Sequence, residues 1–220
     1  MTEMNFEQAR FNMIEQQIRP WDVLDQRVLD LICHVPRENF VPEQYRNLAL
    51  VDMHLPLGHG EEMMTPKLEA RILQSLDIQP TETVLEVGTG SGYLTALLAK
   101  LAKHVYSIEI IPEFIKNATI RLDNMGISNV NLEEGDAARG WTLDAPYDVI
   151  VLTGSVPVLP DSFKQSLNIG GRLFAVTGDS PSMEGMLITR VGEHEWAEEA
   201  LFETDLPPLQ NAIQPDRFEL

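Results

Sequence analysis

The chain has a single cysteine, few cations and no long apolar run, and each shortage excludes something. Cys33 has no partner for an internal disulfide, so a reducing compartment is expected. Its neighbours, Leu31-Ile32-Cys33-His34-Val35, read as a helix packed on a core, and Cys33 is expected to be a buried structural thiol. No stretch approaches the roughly 20 apolar residues of a membrane span. Met1 to Arg10 is acidic in part and lacks an apolar run, so it does not read as a secretory leader, and a cytoplasmic location is expected. Lys and Arg number 16 against 34 Asp and Glu, a formal net charge of -18. That field repels DNA, RNA and anionic bilayers, so neither nucleic acid nor membrane is an expected partner. His34, His54, His104 and His194 show no ligand spacing with one another or with Cys33, and no metal is predicted. Trp21, Trp141 and Trp196 are scattered and read as packing residues.

What is present suits a globular α/β protein. The 220 residues are 44% hydrophobic, enough for a sizeable core, and show no internal repeat. One domain is expected, with N-terminal helices and a loop over 1–78 and an α/β core over 79–220. Residues 5–50 read as helical: Phe6, Met13, Ile14 and Ile18 recur at a helical period, and Asp25 can cap a second helix carrying Val28, Leu29, Leu31 and Ile32. Residues 51–66, with Leu55-Pro56-Leu57-Gly58-His59-Gly60, read as a constrained loop. Helical periodicity returns over 66–78.

From Thr83 strands alternate with helices. Strands are expected at Val84–Val87, His104–Ile108, Val130–Leu132, Tyr147–Leu152 and Gly171–Val176, and helices at Tyr93–Leu101 and Pro112–Met125. Residues 185–191 and 198–204 read as late strands, paired as a hairpin. This order predicts a doubly wound, mostly parallel sheet with helices on both faces, an N-terminal helical extension and late antiparallel strands. Ligands of such sheets bind beyond the carboxyl ends of the strands.

The strongest local signal is Val84-Leu85-Glu86-Val87-Gly88-Thr89-Gly90-Ser91-Gly92-Tyr93, a strand running through three glycines into a helix. It is not the G-x-G-x-x-G dinucleotide fingerprint, because Tyr93 stands where the last glycine belongs, and no G-K-[ST] follows to make a P-loop. Glu109 lies 21 residues after Gly88 and can accept two hydrogen bonds from a ribose diol. Asp136, before Ala137, can reach the edge of an adenine ring. Glu86 suits an ammonium better than a pyrophosphate. His59, between two glycines, is a candidate general base, with a packing or hydrogen-bonding role as the alternative. Thr153 and Ser155 follow the fourth strand, where their hydroxyls either meet an acceptor or shape the turn.

The combination resembles the Rossmann-like methyltransferases that use S-adenosylmethionine. The flanking segments resemble one family among them, the protein-L-isoaspartate O-methyltransferases. Asn12-Met13-Ile14-Glu15-Gln16-Gln17-Ile18-Arg19, Asp25-Gln26-Arg27-Val28-Leu29 and Val35-Pro36-Arg37-Glu38-Asn39-Phe40-Val41-Pro42 are similar to its first segments. Leu55–Gly60, Gly135-Asp136-Ala137, Ala145-Pro146-Tyr147-Asp148, Gly170-Gly171-Arg172-Leu173 and Leu206-Pro207-Pro208-Leu209 follow in the family's order. The resemblance implies a cytoplasmic protein-repair enzyme, monomeric or a small homo-oligomer. It would methylate the α-carboxylate of L-isoaspartyl residues in proteins or peptides with S-adenosylmethionine. It also implies that Glu86, Gly88, Thr89, Gly90, Ser91, Gly92, Glu109, Asp136 and Ala137 hold the cofactor. The family's glutamine-threonine-isoleucine-serine-x-proline reads here as Glu61-Glu62-Met63-Met64-Thr65-Pro66, so its active-site hydroxyl falls on Met64. A thioether donates no hydrogen bond. Thr65 can replace that hydroxyl if the loop shifts. Two other readings stay open: a methyltransferase of the same descent with another acceptor, and a cofactor-binding protein without methyl transfer.

Overall fold

The computed structural model describes residues 4–215. Seven strands form one sheet. They are β3 (Thr83–Val87), β4 (His104–Glu109), β5 (Val130–Glu134), β6 (Tyr147–Val156), β7 (Leu167–Asp179), β8 (Ser182–Gly192) and β9 (Glu195–Thr204), in the order β5-β4-β3-β6-β7-β8-β9. The five strands from β5 to β7 run parallel, and β8 and β9 close the edge as an antiparallel pair. The chain leaves β3 on one side towards β4 and β5 and returns on the other at β6. The glycine loop after β3 therefore sits at the switch point where ligands of doubly wound sheets bind.

Alternation along the central strands feeds two cores. Val84, Val105, Val149 and Val151 face one layer, while Leu85, Ile150 and Leu152 face the other with Tyr147 and Phe163. The first layer receives the N-terminal elements: Met13, Ile18, Val28 and Ile32 pack with Leu94, Leu97 and Leu98 of helix α4 (Tyr93–Leu101) and Ile72 of helix α3 (Pro66–Leu76). Among the described residues no helix is long and apolar enough to cross a membrane.

The N-terminal stretch is helical, but in pieces. Helix α1 (Phe6–Met13) continues as a π-helical turn over Ile14–Ile18 and a 3-10 turn over Arg19–Trp21, where Pro20 has no amide to continue the ladder. Helix α2 (Gln26–His34) starts at Asp25, whose carboxylate accepts the Arg27 amide. Arg37–Asn39 and Glu43–Leu48 are 3-10 turns.

Two expectations are corrected. Residues 51–66 are not a plain loop: β1 (Leu55–Gly58) and β2 (Glu61–Met63) pair antiparallel as a hairpin. His59 and Gly60 turn it with φ of 55° and 84°, the two left-handed residues that a tight hairpin requires. Cys33 is exposed rather than buried. The buried face of α2 is Val28, Leu29 and Ile32, and the residue after Ile32 is rotated about 100° round the helix towards solvent.

Candidate active site

Register brings several of the residues expected to hold a cofactor together. Val87 of β3 lies opposite Ile108 of β4 and Leu152 of β6, and Glu109 lies opposite Glu134 of β5. Gly88, Glu109, Asp136 and Thr153 therefore emerge at neighbouring strand ends. They line one cleft with Leu57, Phe114, Ala137 and Leu206–Gln210. Gly88 has φ of 97°, and a Cβ there would collide with the Thr153 hydroxyl. That hydroxyl donates to the Val87 and Gly88 carbonyls at 2.9 and 2.8 Å. Gly92 caps α4 at φ 81°, and Arg121 of helix α5 (Pro112–Asn124) donates to the Ser91 carbonyl at 2.8 Å.

The acids are held firmly. Glu109 is 5% exposed; its Oε2 accepts the Gly90 amide at 2.8 Å and its Oε1 the Ile111 amide at 2.9 Å. Burial raises its pKa against the pull of those amides. Asp136 accepts the Ala138 amide on Oδ1 and Asn211 on Oδ2 at 2.9 Å. Glu86 is fully buried. Thr95 and Ser107 both donate to its Oε2 at 2.6 Å, and Thr89 bonds the Ser107 hydroxyl in turn. Its Oε1 has no partner among the described residues. Burial pushes the Glu86 carboxyl up to about 8, opposed by the two hydroxyls.

A second, smaller chamber adjoins the first, sharing Leu57, Glu62, Gly88, Gly90 and Thr153. Met63, Met64, Glu69, Glu86, Thr89 and Ser91 complete much of its wall. Met64 thus shares a wall with Glu86, Thr89 and Ser91, three of the residues expected to hold the cofactor. Thr65 does not line either chamber; it is the N-cap of α3, its hydroxyl 3.4 Å from the Leu68 amide. His59 lines neither chamber: its Nε2 is 2.8 Å from Glu113 and its ring stands edge-on to Phe114. Ser155 is fully buried and lines neither chamber.

Sequence reasoning missed a buried ion pair behind this wall. Arg37, 1% exposed, donates through Nε to Glu69 Oε2 at 3.0 Å, through Nη1 to the Ala49 carbonyl at 2.5 Å, and through Nη2 to the Met64 carbonyl. Its guanidinium also lies 5.5 Å from the Tyr93 ring centroid. Burial pushes the Glu69 carboxyl up to about 7 although Arg37 pulls it down. A signal was available: Glu69 follows Leu68 and precedes Ile72 and Leu73 on the apolar face of α3, and an acid there demands a partner.

The fold and the paired chambers define a Rossmann-like methyltransferase. Comparison with known proteins narrows this. The family profile for protein-L-isoaspartate(D-aspartate) O-methyltransferases matches residues 8–208, and the chain belongs to that family. It is 40% identical over 206 residues to protein-L-isoaspartate O-methyltransferase 1 of Rhodopseudomonas palustris (strain HaA2), covering 93% of this chain and 84% of that one. It is 41% identical over 179 residues to the Protochlamydia amoebophila protein-L-isoaspartate O-methyltransferase, covering 81% and 84%. The fold matches a Plasmodium falciparum structure, a protein-L-isoaspartate O-methyltransferase in complex with S-adenosyl-L-homocysteine. The TM-score is 0.79 at 19% identity, over 94% of this chain and 99% of that one.

Proposed function

We propose that this chain binds S-adenosylmethionine in the larger chamber, reaching Glu86 where the smaller one adjoins it, and methylates the carboxylate of an L-isoaspartyl residue presented beside Met64. The observation that carries the reading is the meeting of the two chambers at Gly88, Gly90 and Thr153, between Glu109 and Met64. The residues suit the cofactor. Gly88 has no Cβ to block close approach. Glu86, which lines the smaller chamber, has a buried Oε1 without a partner among the described residues, and an ammonium bound beside it would hold the carboxyl ionised. Glu109 is set to accept from a ribose diol and Asp136 to meet an adenine edge. When bound, S-adenosylmethionine supplies a methyl group on a cationic sulfur.

The protein's part is positioning. The acceptor carboxylate is already ionised and needs no base, so His59, turned to Glu113, has no proton to take. The hairpin β1–β2 and the glycine loop hold acceptor and donor in line, which is how such sites lower a transfer barrier. Thr65 keeps α3 capped, so the smaller chamber keeps Met64 where a hydroxyl would bond the acceptor.

The test is a transfer assay with labelled S-adenosylmethionine, an L-isoaspartyl peptide and its normal aspartyl counterpart. Label on the isoaspartyl peptide alone is expected. A second reading keeps the donor and changes the acceptor, and Met64 is the observation that favours it. Donor binding by calorimetry without label on either peptide would select that reading.

A further inference from the structure

We infer that the cleft selects isoaspartyl sites lying beside a cationic side chain, and that Glu62 reads that charge. The inference rests on the carboxylate-acceptor reading above. Among the described residues, the side chains lining the two chambers include six carboxyl groups and no lysine, arginine or histidine. Glu86, Glu109 and Asp136 are assigned to the donor. Glu69 is matched by Arg37 at 3.0 Å with both side chains buried. Glu61 accepts from Gln210 at 2.7 Å. Glu62 remains. It is exposed and lines both chambers, and its carboxylate has no hydrogen bond or ion pair among the described residues.

Among the described residues, nothing in the wall offers an anionic acceptor a counter-charge. Arg37 stands behind it, but each of its nitrogens is spent on Glu69, Ala49 or Met64. Met63 and Met64 present thioethers, which donate nothing. Apart from the donor's sulfonium, an isoaspartyl carboxylate therefore enters beside Glu62 with like charge and no cation from the wall, and like charges brought together oppose binding. A lysine or arginine next to the isoaspartyl residue supplies the missing cation and pairs with Glu62.

A chain of net charge -18 attracts any cationic peptide, so the test must separate local from global charge. Two isoaspartyl peptides of identical composition serve. One carries its only lysine adjacent to the isoaspartyl residue, the other about six residues away, beyond one Debye length at about 0.1 M salt. The adjacent isomer is expected to have the higher kcat/KM by about fivefold, as for a partly exposed ion pair. The gap should close at about 0.5 M salt. Glu62→Gln should bring the two isomers to equal rates, whereas a merely structural defect would slow both and keep their ratio. Equal rates with the wild-type chain, or a ratio that survives Glu62→Gln, overturn the inference while leaving the carboxylate reading intact. No label on either isomer from donor-loaded protein overturns both.

Discussion

The two halves of the cleft are built by different means. On the donor side, Gly88, Glu109 and Asp136 follow adjacent parallel strands, and their positions come from ladder register and from amides of the same loops. On the acceptor side, the β1–β2 hairpin is anchored by a buried guanidinium from a segment some 30 residues earlier: Arg37 bonds the Met64 carbonyl and Glu69. Backbone geometry therefore sets the site proposed for the donor, and one tertiary ion pair sets the wall proposed for the acceptor. Changes on one side should leave the other largely intact.

The largest expected effect breaks the acceptor side. Arg37→Met leaves Glu69 buried beside its vanished partner and the Met64 and Ala49 carbonyls without their donor. Removing one member of a buried pair costs about 3–5 kcal/mol, read by denaturant unfolding. Arg37→Met together with Glu69→Leu should recover much of that loss, since an apolar pair leaves no isolated charge. A double variant no more stable than the single one would count against the ion pair as the anchor.

Next comes the pH dependence of the donor side. The folded chain keeps Glu86 protonated up to about 8, whereas the unfolded chain releases that proton near 4.5. A raised folded pKa contributes stability that is full below the unfolded value and is lost as pH rises through the folded one. Stability should therefore fall between pH 4.5 and about 8, by up to about 1.4 kcal/mol per pH unit for this group. Glu86→Gln cannot ionise, so its Tm should gain on the wild type as pH rises through that window. Parallel Tm curves for the two proteins would show that Glu86 titrates normally.

Gly88→Ala is smaller in stability and confined in function. Forcing a Cβ at φ 97° against Thr153 should cost about 2 kcal/mol and remove measurable donor binding in calorimetry. Met64→Ser is the smallest change. It restores a hydroxyl where the wall has a thioether, and one hydrogen bond to a charged acceptor should raise kcat/KM for the isoaspartyl peptide by about tenfold.

The same contrast explains what the sequence disclosed. The donor side follows local rules. Alternating apolar residues mark β3, β4 and β6, glycines mark the turn, and acids mark the strand ends, so Glu86, Gly88, Glu109 and Asp136 were legible one segment at a time. The hairpin was hidden because Pro56 and two glycines interrupt it and no β-branched residue marks either strand; only its register shows that His59-Gly60 is a turn. Arg37 and Glu69 were hidden because they lie 32 residues apart and meet only when α3 packs against the 3-10 turn at Arg37–Asn39. Cys33 was misplaced by reading hydrophobic neighbours rather than helical phase. The segment Leu206–Gln210 closes the donor cleft although it belongs to no helix or strand, and its prolines identify a turn but not what it covers.

If donor and acceptor sites are separable, the donor Kd and transfer to the acceptor respond independently to a change at Met64. The decisive measurement, on the wild type and on Met64→Ser, is the donor Kd by calorimetry alongside labelled transfer to an L-isoaspartyl and a normal aspartyl peptide. Label on the isoaspartyl peptide alone, an unchanged donor Kd and a raised kcat/KM in the variant are expected. A donor Kd that moves in step with kcat/KM would show that the two sites are one.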